Sequence, residues 1–222
     1  MTGITERALR VTLKLHPEDV KRSPVIQTVK EGVRCIPGTT YKGAVRASME
    51  NWFRELASKG ARALTPCVPV VKSALSEAEC RLVRKGELRK GCTVQVGNGK
   101  VILPPGQKGI CPACTLFGAQ GLVGFVRCGF LRDRGDQFEG KIRVLWADES
   151  RGWEFGKRRT VGKSVVDLLE MEPERLLDVL RQRISEMKSI GAKRPRDADH
   201  AGAVGSLRIL SVQVVEQAPE TL

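Results

Sequence analysis

Two cysteines three residues apart constrain this chain more than any other feature. The sequence Cys111-Pro-Ala-Cys114 is followed at once by Thr-Leu-Phe117-Gly118. Two thiolates at this spacing can bind one metal ion from a single turn of the backbone, and a closed structural zinc site needs four such ligands. The motif therefore predicts a loop that a metal ion holds together.

Two further cysteines are needed to close such a site. Cys92 follows Gly91 in a turn-like stretch, where a thiolate can turn inward, so it is predicted as the third ligand. For the fourth ligand, Cys80 is preferred over Cys67, which lies between two prolines. We expect a structural Zn²⁺ site formed by Cys80, Cys92, Cys111 and Cys114, with Cys67 as the alternative to Cys80.

The segment that carries these cysteines, residues 59–120, is poor in apolar residues. It contains several prolines and glycines and five cysteines, and only Ser76–Leu88 has a helical pattern. Metal coordination would supply folding free energy to such a segment. We therefore predict that residues 59–120 are an inserted zinc-binding lid within a single domain that covers residues 1–222.

The termini and the cysteine count indicate a reducing compartment. The start Met-Thr-Gly-Ile-Thr-Glu lacks the features of a signal peptide, and no long uncharged apolar stretch occurs, so we expect a cytoplasmic protein without a membrane partner. Seven cysteines in such a compartment are metal ligands or buried small residues rather than disulfides. Cys35 and Cys128 are predicted to be core residues.

The rest of the chain alternates between strand and helix patterns. Residues 8–15 alternate strictly between apolar and polar side chains, which predicts a half-buried strand. The predicted elements that follow are an irregular stretch over residues 16–38, a helix that opens within residues 36–46, a strand pair 122–131 and 141–147, a helix from Pro173 to Gly191, and a strand 207–215. This βαββαβ order predicts an α+β fold of the ferredoxin-like or RRM-like plait, a four-stranded antiparallel sheet with both helices on one face.

The charge of the chain predicts a polyanionic partner. The formal net charge is +13, and the basic residues gather beside glycine- and proline-bearing loops. These clusters are Arg81, Arg84, Lys85, Arg89 and Lys90; Lys157, Arg158, Arg159 and Lys163; and Lys188, Lys193, Arg194 and Arg196.

The start of the first long helix is a predicted anion site. Ile36-Pro-Gly-Thr-Thr opens this helix, with Thr39 or Thr40 as its predicted cap. Backbone amides at such a start, with Lys42 and Arg46 beside them, would favour a phosphate. The alternative is a capped amphipathic helix with two solvated charges.

Three stretches resemble the RAMP superfamily of CRISPR-associated proteins, specifically the Cas-seven-like backbone subunits of class 1 (type III or type IV) effector complexes. The segment Cys35-Ile-Pro-Gly-Thr-Thr-Tyr-Lys-Gly-Ala-Val-Arg46 resembles the family's glycine-bearing helix entry. Cys111-Pro-Ala-Cys114-Thr-Leu-Phe-Gly118 resembles its cysteine knuckle. Ile190-Gly-Ala-Lys193 with Gly202-Ala-Val-Gly205-Ser-Leu-Arg208 resembles its closing loop and last strand.

The resemblance implies a guide-RNA-binding subunit for antiviral defence without its own catalysis. Copies would stack along the guide (CRISPR) RNA beside other effector subunits, and short guide segments would remain free to pair with a complementary target. Residues 148–163 are the candidate thumb, a hairpin that wedges between bases. The predicted RNA-binding residues are Lys42, Arg46, Trp153, Lys157, Arg158, Arg159, Lys193, Arg194 and Arg196.

Two other functions remain open at this point. Type III relatives cleave the paired target with an Asp just before a Pro-Val pair, whereas this chain has Lys21-Arg22-Ser23-Pro24 there. Asp19 lies a few residues earlier and is the alternative catalytic residue, with Mg²⁺ required only in that case. The third possibility is a stand-alone zinc-stapled RNA-binding protein outside CRISPR.

Overall fold

The computed structural model describes twelve strands and four α-helices over parts of the chain. The described residues are 5–28, 32–67, 77, 81, 84, 91–92, 95–97, 100–102, 110–119, 124–146, 154–155, 158–159, 173–191 and 206–217. Contacts divide the chain into two compact units. The cysteine unit is Met1–Thr5, Met49–Val126 and Leu145–Leu176, and the sheet unit is Glu6–Ser48, Arg127–Val144 and Leu177–Leu222.

The strands and helices alternate along the chain, which makes this an α+β fold. From the N-terminus the elements are β1 Thr5–Leu15, α1 Pro17–Arg22, β2 Gln27–Thr28, β3 Arg34–Ile36, α2 Gly38–Ser58, a 3-10 turn Arg62–Leu64, β4 Gln95–Gly97, β5 Lys100–Ile102 and α3 Pro112–Phe117. There follow β6 Val126–Cys128, β7 Leu131–Asp133, β8 Phe138–Trp146, β9 Glu154–Phe155, β10 Arg158–Arg159, α4 Pro173–Ser185, β11 Ser189–Ile190 and β12 Leu207–Gln217.

The main sheet has the strand order β11-β12-β1-β8-β7-β3-β2, and β6 pairs with β8 outside this path. Two small hairpins, β4 with β5 and β9 with β10, form separate sheets. The main sheet is thus larger than the four strands predicted from the sequence, because β2, β3, β7 and β11 are added to it. Strands of two or three residues are too short for a recognisable alternation, so only their pairing partners define them.

The predicted alternation of the first strand is confirmed. Leu9, Val11, Leu13 and Leu15 are all buried, and β1 pairs antiparallel with β12 from Ala8 opposite Gln217 to Leu15 opposite Ile209. A register shift between Lys14 and Leu15 marks a bulge. The last predicted strand is also confirmed, although β12 extends two residues beyond Val215.

Helix α2 begins one residue after Pro37 and buries a stripe of one residue per turn. Tyr41, Val45, Met49 and Phe53 are fully buried, which is the i, i+4 spacing of an amphipathic helix. The predicted threonine cap is wrong. Thr39 and Thr40 lie inside the first turn, where the Pro37 carbonyl accepts hydrogen bonds from the amides of Thr40 (3.0 Å) and Tyr41 (3.1 Å).

Helix α4 has the predicted apolar stripe but ends early. Leu176, Leu177, Leu180 and Ile184 are buried, and Pro173 is the first residue, where its missing amide hydrogen costs nothing. The helix ends at Ser185 rather than near Gly191, because residues 189–190 pair with β12 instead. Within the sheet unit, the Ser48 hydroxyl of α2 donates to the Arg183 carbonyl of α4 at 3.2 Å, so the two helices are neighbours.

Two loop predictions need correction. Residues 16–38 were expected to be irregular but contain α1, β2 and β3. The predicted strand 122–131 is interrupted within its described part, where β6 ends at Cys128 and β7 starts at Leu131. At this interruption, the chain lies directly against Gly38 at the start of α2, where a Cβ would collide with the backbone oxygens of Cys128 and Gly129. The chain between β6 and β7 therefore follows the surface of the helix start.

Candidate metal centre and cationic helix entrance

Four cysteine sulfurs form one cluster in the cysteine unit. The Sγ atoms of Cys67, Cys92, Cys111 and Cys114 all lie within 4.8 Å of one another, and all four residues are buried. The Sγ atoms of Cys67 and Cys114 are 3.4 Å apart. A tetrahedral zinc with Zn–S bonds of about 2.3 Å would separate its sulfurs by about 3.8 Å. The cluster therefore has the size that a single metal ion such as zinc requires.

The short helix α3 places two of the four sulfurs. Cys111 is its N-cap residue, and the Cys111 Sγ accepts a hydrogen bond from the Cys114 amide at 3.4 Å. The Cys92 Sγ accepts one from the Cys111 amide at 3.3 Å. Amide groups that donate to sulfur favour the thiolate form and orient metal ligands. Pro112 starts the helix, so the Cys-Pro-x-Cys spacing is also a helix-start signal.

The backbone around α3 is closely packed. The Thr115 hydroxyl donates to the Cys111 carbonyl at 3.1 Å, and the Gly118 amide donates to the Cys114 carbonyl at 2.8 Å. Gly118 has φ +87°, a conformation that favours glycine. A Cβ on Gly124 would collide with the backbone of residues 116–118, so the chain crosses directly over the helix end. The knuckle is thus held by backbone contacts as well as by its sulfurs.

Hydrogen bonds within the cluster shift the pKa values of its thiols in opposite directions. The pKa of Cys111 is held well below its usual range because the thiol of Cys114, followed by those of Cys67 and Cys92, hydrogen-bonds to its sulfur. The hydrogen bond to Cys111 raises the pKa of Cys114 above its usual range. The cluster therefore already favours one thiolate, and a bound cation would deprotonate the other thiols as well.

The structure brings the predicted Cys92, Cys111 and Cys114 together in one cluster. Among the described residues, the fourth sulfur is that of Cys67, the alternative ligand; the preferred Cys80 lies outside the described residues. Cys67 is 47 residues from Cys114 in the sequence, so no local spacing could favour it over Cys80 as the fourth ligand. Of the two predicted core cysteines, Cys35 is fully buried, whereas Cys128 is only half-buried.

A second cluster, here named the helix entrance, lies in the sheet unit at the start of α2. It consists of Lys42, Arg46 and Arg127, the last from β6. The pKa of Lys42 is lowered, chiefly because burial desolvates its ammonium group and further because Arg46 and Arg127 are close to it. A half-buried ammonium group beside two guanidinium groups is electrostatically unfavourable, and an anion bound there would relieve this repulsion.

The helix entrance contains Lys42 and Arg46 of the predicted anion site, and the structure brings Arg127 close to Lys42. Since Gly38 lies against the carbonyls of Cys128 and Gly129, the residue next to them, Arg127, is brought to the start of α2. Desolvation by burial raises the pKa of the neighbouring Cys128 thiol to about 12, so this thiol stays neutral. The sequence did not indicate Arg127, because this residue is far from α2 in the chain and is close to Lys42 only in the folded structure.

Asp19, the alternative catalytic residue, is held by Arg208. Its Oδ2 accepts hydrogen bonds from the Arg208 amide and Nε, both at 2.9 Å, and its Oδ1 accepts one from Nη2 at 3.0 Å. Both oxygens therefore already have partners on β12, and Arg208 would compete with Mg²⁺ for the carboxylate. The contact instead ties α1 to the last strand.

This ion pair predicts a pH dependence. The side-chain and then the backbone hydrogen bonds from Arg208 lower the pKa of Asp19 from 3.8 to about 2. Because the folded pKa is the lower one, the stabilisation is present above about pH 3.8 and is lost as the pH falls toward 2. An NMR titration of the Asp19 carboxyl carbon should show this low pKa, and Arg208→Gln should return it toward 3.8. Arg22→Gln, which removes a cation that pairs with Glu18 instead, should leave it unchanged.

The remaining predicted RNA-binding residues are only partly described. Arg158 and Arg159 form β10, which pairs antiparallel with β9 inside the candidate thumb 148–163. Arg158 lies opposite Phe155 and Arg159 opposite Glu154. The other predicted contacts, Trp153, Lys157, Lys193, Arg194 and Arg196, lie outside the described residues.

No protein-family model and no curated protein matches this chain. None of the helices among the described residues is both long and apolar enough to span a lipid bilayer.

Proposed function

We propose that this chain is a zinc-stapled RNA-binding subunit of a class 1 CRISPR effector complex. It would clamp the sugar-phosphate backbone of a guide RNA, align with copies of itself and with other effector subunits, and leave guide segments free for a complementary target. The observation that carries the proposal is the helix entrance, where Lys42, on a 21-residue helix, has Arg46 and Arg127 close to it. Such a site suits a phosphodiester.

The backbone geometry at the helix entrance supports a phosphate rather than a bare charge cluster. The amides of Thr40 and Tyr41 are bonded to Pro37, so those of Gly38 and Thr39 are the ones that remain at the first turn to meet an anion. Lys42 and Arg46 follow on the next turns, so charge and helix dipole act on the same ligand.

The strand order supports the plait within the larger sheet. The four predicted strands correspond to β12, β1, β8 and β6, which pair in that order because β6 pairs with β8, and α2 and α4 each connect strands of this set that are not neighbours. Such an interleaved order is that of a ferredoxin-like plait. In this interpretation β2 and β3 extend one edge beside β7, and β11 extends the other beside β12.

Zinc is the metal that we propose for the cysteine cluster. Four thiolates are soft ligands, and a closed tetrahedral set of four is typical of structural zinc sites. Its role would be to hold the segment between Cys67 and Cys114, not to take part in a reaction. No step of catalysis is proposed for this chain, and the hydrogen bonds of Asp19 to Arg208 agree with that.

The test is to identify the RNA that accompanies the protein in its native host. Sequencing of co-purified RNA should yield uniform guides that carry repeat-derived ends. On such guides, the mass of the complex should increase stepwise with guide length as further copies bind. Random cellular RNA bound by a single copy would contradict the guide-RNA role and favour the stand-alone RNA-binding protein. Absence of bound RNA at low ionic strength would contradict both functions.

A further inference from the structure

The last strand of the main sheet has a partner strand along only one of its two edges. On that edge β12 pairs with β1. On the other edge, β11 covers only Leu207 and Arg208, and the Lys188 carbonyl accepts a hydrogen bond from the Ile209 amide at 2.9 Å. Among the described residues, no strand lies beside residues 210–217 on this second edge. We name residues 210–217 of β12 the open edge.

The open edge carries apolar side chains that the fold covers only in part. Val212 and Val214 lie opposite two fully buried residues of β1 but are themselves only half-buried. Val215, on the other side of the strand, is 39% exposed, and Leu210 is 55% exposed. The apolar core of the sheet unit thus reaches β12 without being closed there, and one more strand would cover it.

The open edge lacks most of the features that keep sheet edges from pairing. Native edges are usually short, or carry Lys, Pro or inward-pointing charges. The sequence Leu-Ser-Val-Gln-Val-Val of residues 210–215 contains none of these, and the charge that follows, Glu216, is 3.6 Å from Arg7 of β1. A bulge, another protective device, lies at Leu210 and leaves residues 211–217 in regular register with β1. The backbone amides and carbonyls of these residues therefore form a template for a further strand.

We propose that the open edge pairs antiparallel with the open edge of a second copy of this chain, so that two main sheets join into one. The contact would be isologous, with Gln213 of each copy opposite Gln213 of the other. Ser211 would then lie opposite Val215 of the second copy, and Val212 opposite Val214. The inference does not rest on the guide-RNA function, because the contact needs protein alone.

Two-fold symmetry and the length of the open edge select this register. In a symmetric antiparallel pair, the central residue lies opposite its own copy. The pairing cannot extend to Ile209, whose amide already has a partner, so the centre lies at Gln213 or close to it. A centre at Val214 would place Val212 opposite Glu216 of the second copy, whereas a centre at Gln213 places valine opposite valine twice on the core side.

Charge and side-chain pattern favour a second copy as the occupant of this edge. The chain has a formal net charge of +13, so two copies repel each other in general. Within the open edge, however, Glu216 is the one charged residue, and it would face Leu210 of the second copy, so no like charges meet. Each copy supplies half-covered valines on the core side and uncharged polar side chains on the other. The two Gln213 side chains can hydrogen-bond to each other across the pair.

The test is the mass of the full chain in solution after nuclease and high salt have removed RNA, measured by sedimentation over a series of concentrations. The wild-type protein should form a dimer. Ser211→Glu and Val215→Glu together should weaken association about 10-fold or more, because each glutamate lies opposite a glutamate of the second copy. Within one copy the same glutamates lie opposite Lys14 and Arg10, so thermal melting should show no loss of stability.

Two matched variants control for charge. Ser211→Lys with Val215→Glu places opposite charges across the contact and should dimerise as the wild-type protein does. Ala47→Glu with Asn51→Glu adds two negative charges at exposed positions of α2 and should leave the dimer unchanged.

A cross-link tests the register. Side chains directly opposite each other have Cβ atoms about 4.5–5.5 Å apart, which is close enough for a disulfide after a small adjustment. Gln213→Cys should therefore link two copies under mild oxidation. Ser211→Cys should not, because its two copies would be about 14 Å apart along the strands. The wild-type protein, treated in the same way, should remain without a cross-link.

Three results would overturn the paired edge. The first is a wild-type protein that sediments as a monomer at every concentration, whether or not a different protein or peptide accompanies it. The second is a dimer that the double-glutamate variant retains. The third is cross-linking through Ser211→Cys but not through Gln213→Cys. If guide RNA still binds in these cases, the proposed function stands and the paired edge alone is wrong. A dimer that forms without RNA, from a chain that binds no RNA, would separate the two in the opposite direction.

Discussion

Chelation of the metal should unfold the cysteine unit. The purified chain is expected to contain one zinc, and Cys114→Ser should lose both the zinc and the cooperative melting of residues 59–120. Structural zinc sites contribute about 10–16 kcal/mol of apparent binding free energy, whereas a whole domain is stable by only about 5–15 kcal/mol. The loss of the metal would therefore exceed what the apolar contacts of this unit can offset.

The measurement combines elemental analysis with melting and limited proteolysis under reducing conditions. Cys128→Ser is the matched control, because this cysteine lies outside the cluster and its thiol is neutral. It should keep the zinc and the protease resistance of residues 59–120. A wild-type protein that is purified free of metal, and whose melting a chelator does not change, would contradict the metal centre.

Neutralising the helix entrance should remove most of the RNA affinity without destabilising the fold. Three contacts to phosphate at about 1 kcal/mol each correspond to a loss on the order of 100-fold. The salt dependence should become less steep by about 2. Lys42→Ala, Arg46→Ala and Arg127→Ala together should leave the melting temperature close to the wild-type value, because desolvation and two neighbouring cations already disfavour the charged form of Lys42 in the fold.

A loss of RNA affinity without a loss of stability distinguishes a binding site from a structural cluster. As the control, Arg22→Ala, Arg175→Ala and Arg181→Ala together remove three exposed cations elsewhere and should change neither quantity. A triple variant that loses stability together with RNA binding would show that the three cations hold the fold and not a ligand. Unchanged RNA affinity would place the phosphate contacts elsewhere.

Much of the regular structure could be predicted because it depends on near neighbours. The alternation in residues 8–15 and the apolar stripe from Leu176 to Ile184 each identify a buried face by spacing alone. The Cys111–Cys114 pair could be predicted for the same reason, since one turn of α3 places both sulfurs. The prediction of a threonine cap for α2 was wrong, because the helix already begins at Gly38, before both threonines. Gly38 lies against a segment that is distant in the sequence.

By itself, the sequence determined the strands and helices with clear periodicity, the metal-binding pair and the excess of positive charge, because these depend on residue type and local spacing. Only the tertiary structure decided that Cys67 completes the cluster, that Arg127 joins Lys42, and that Arg208 holds Asp19 from 189 residues away. These contacts join residues that are far apart in the chain. They depend on how the whole fold packs, so the local spacing of residues in the sequence does not predict them.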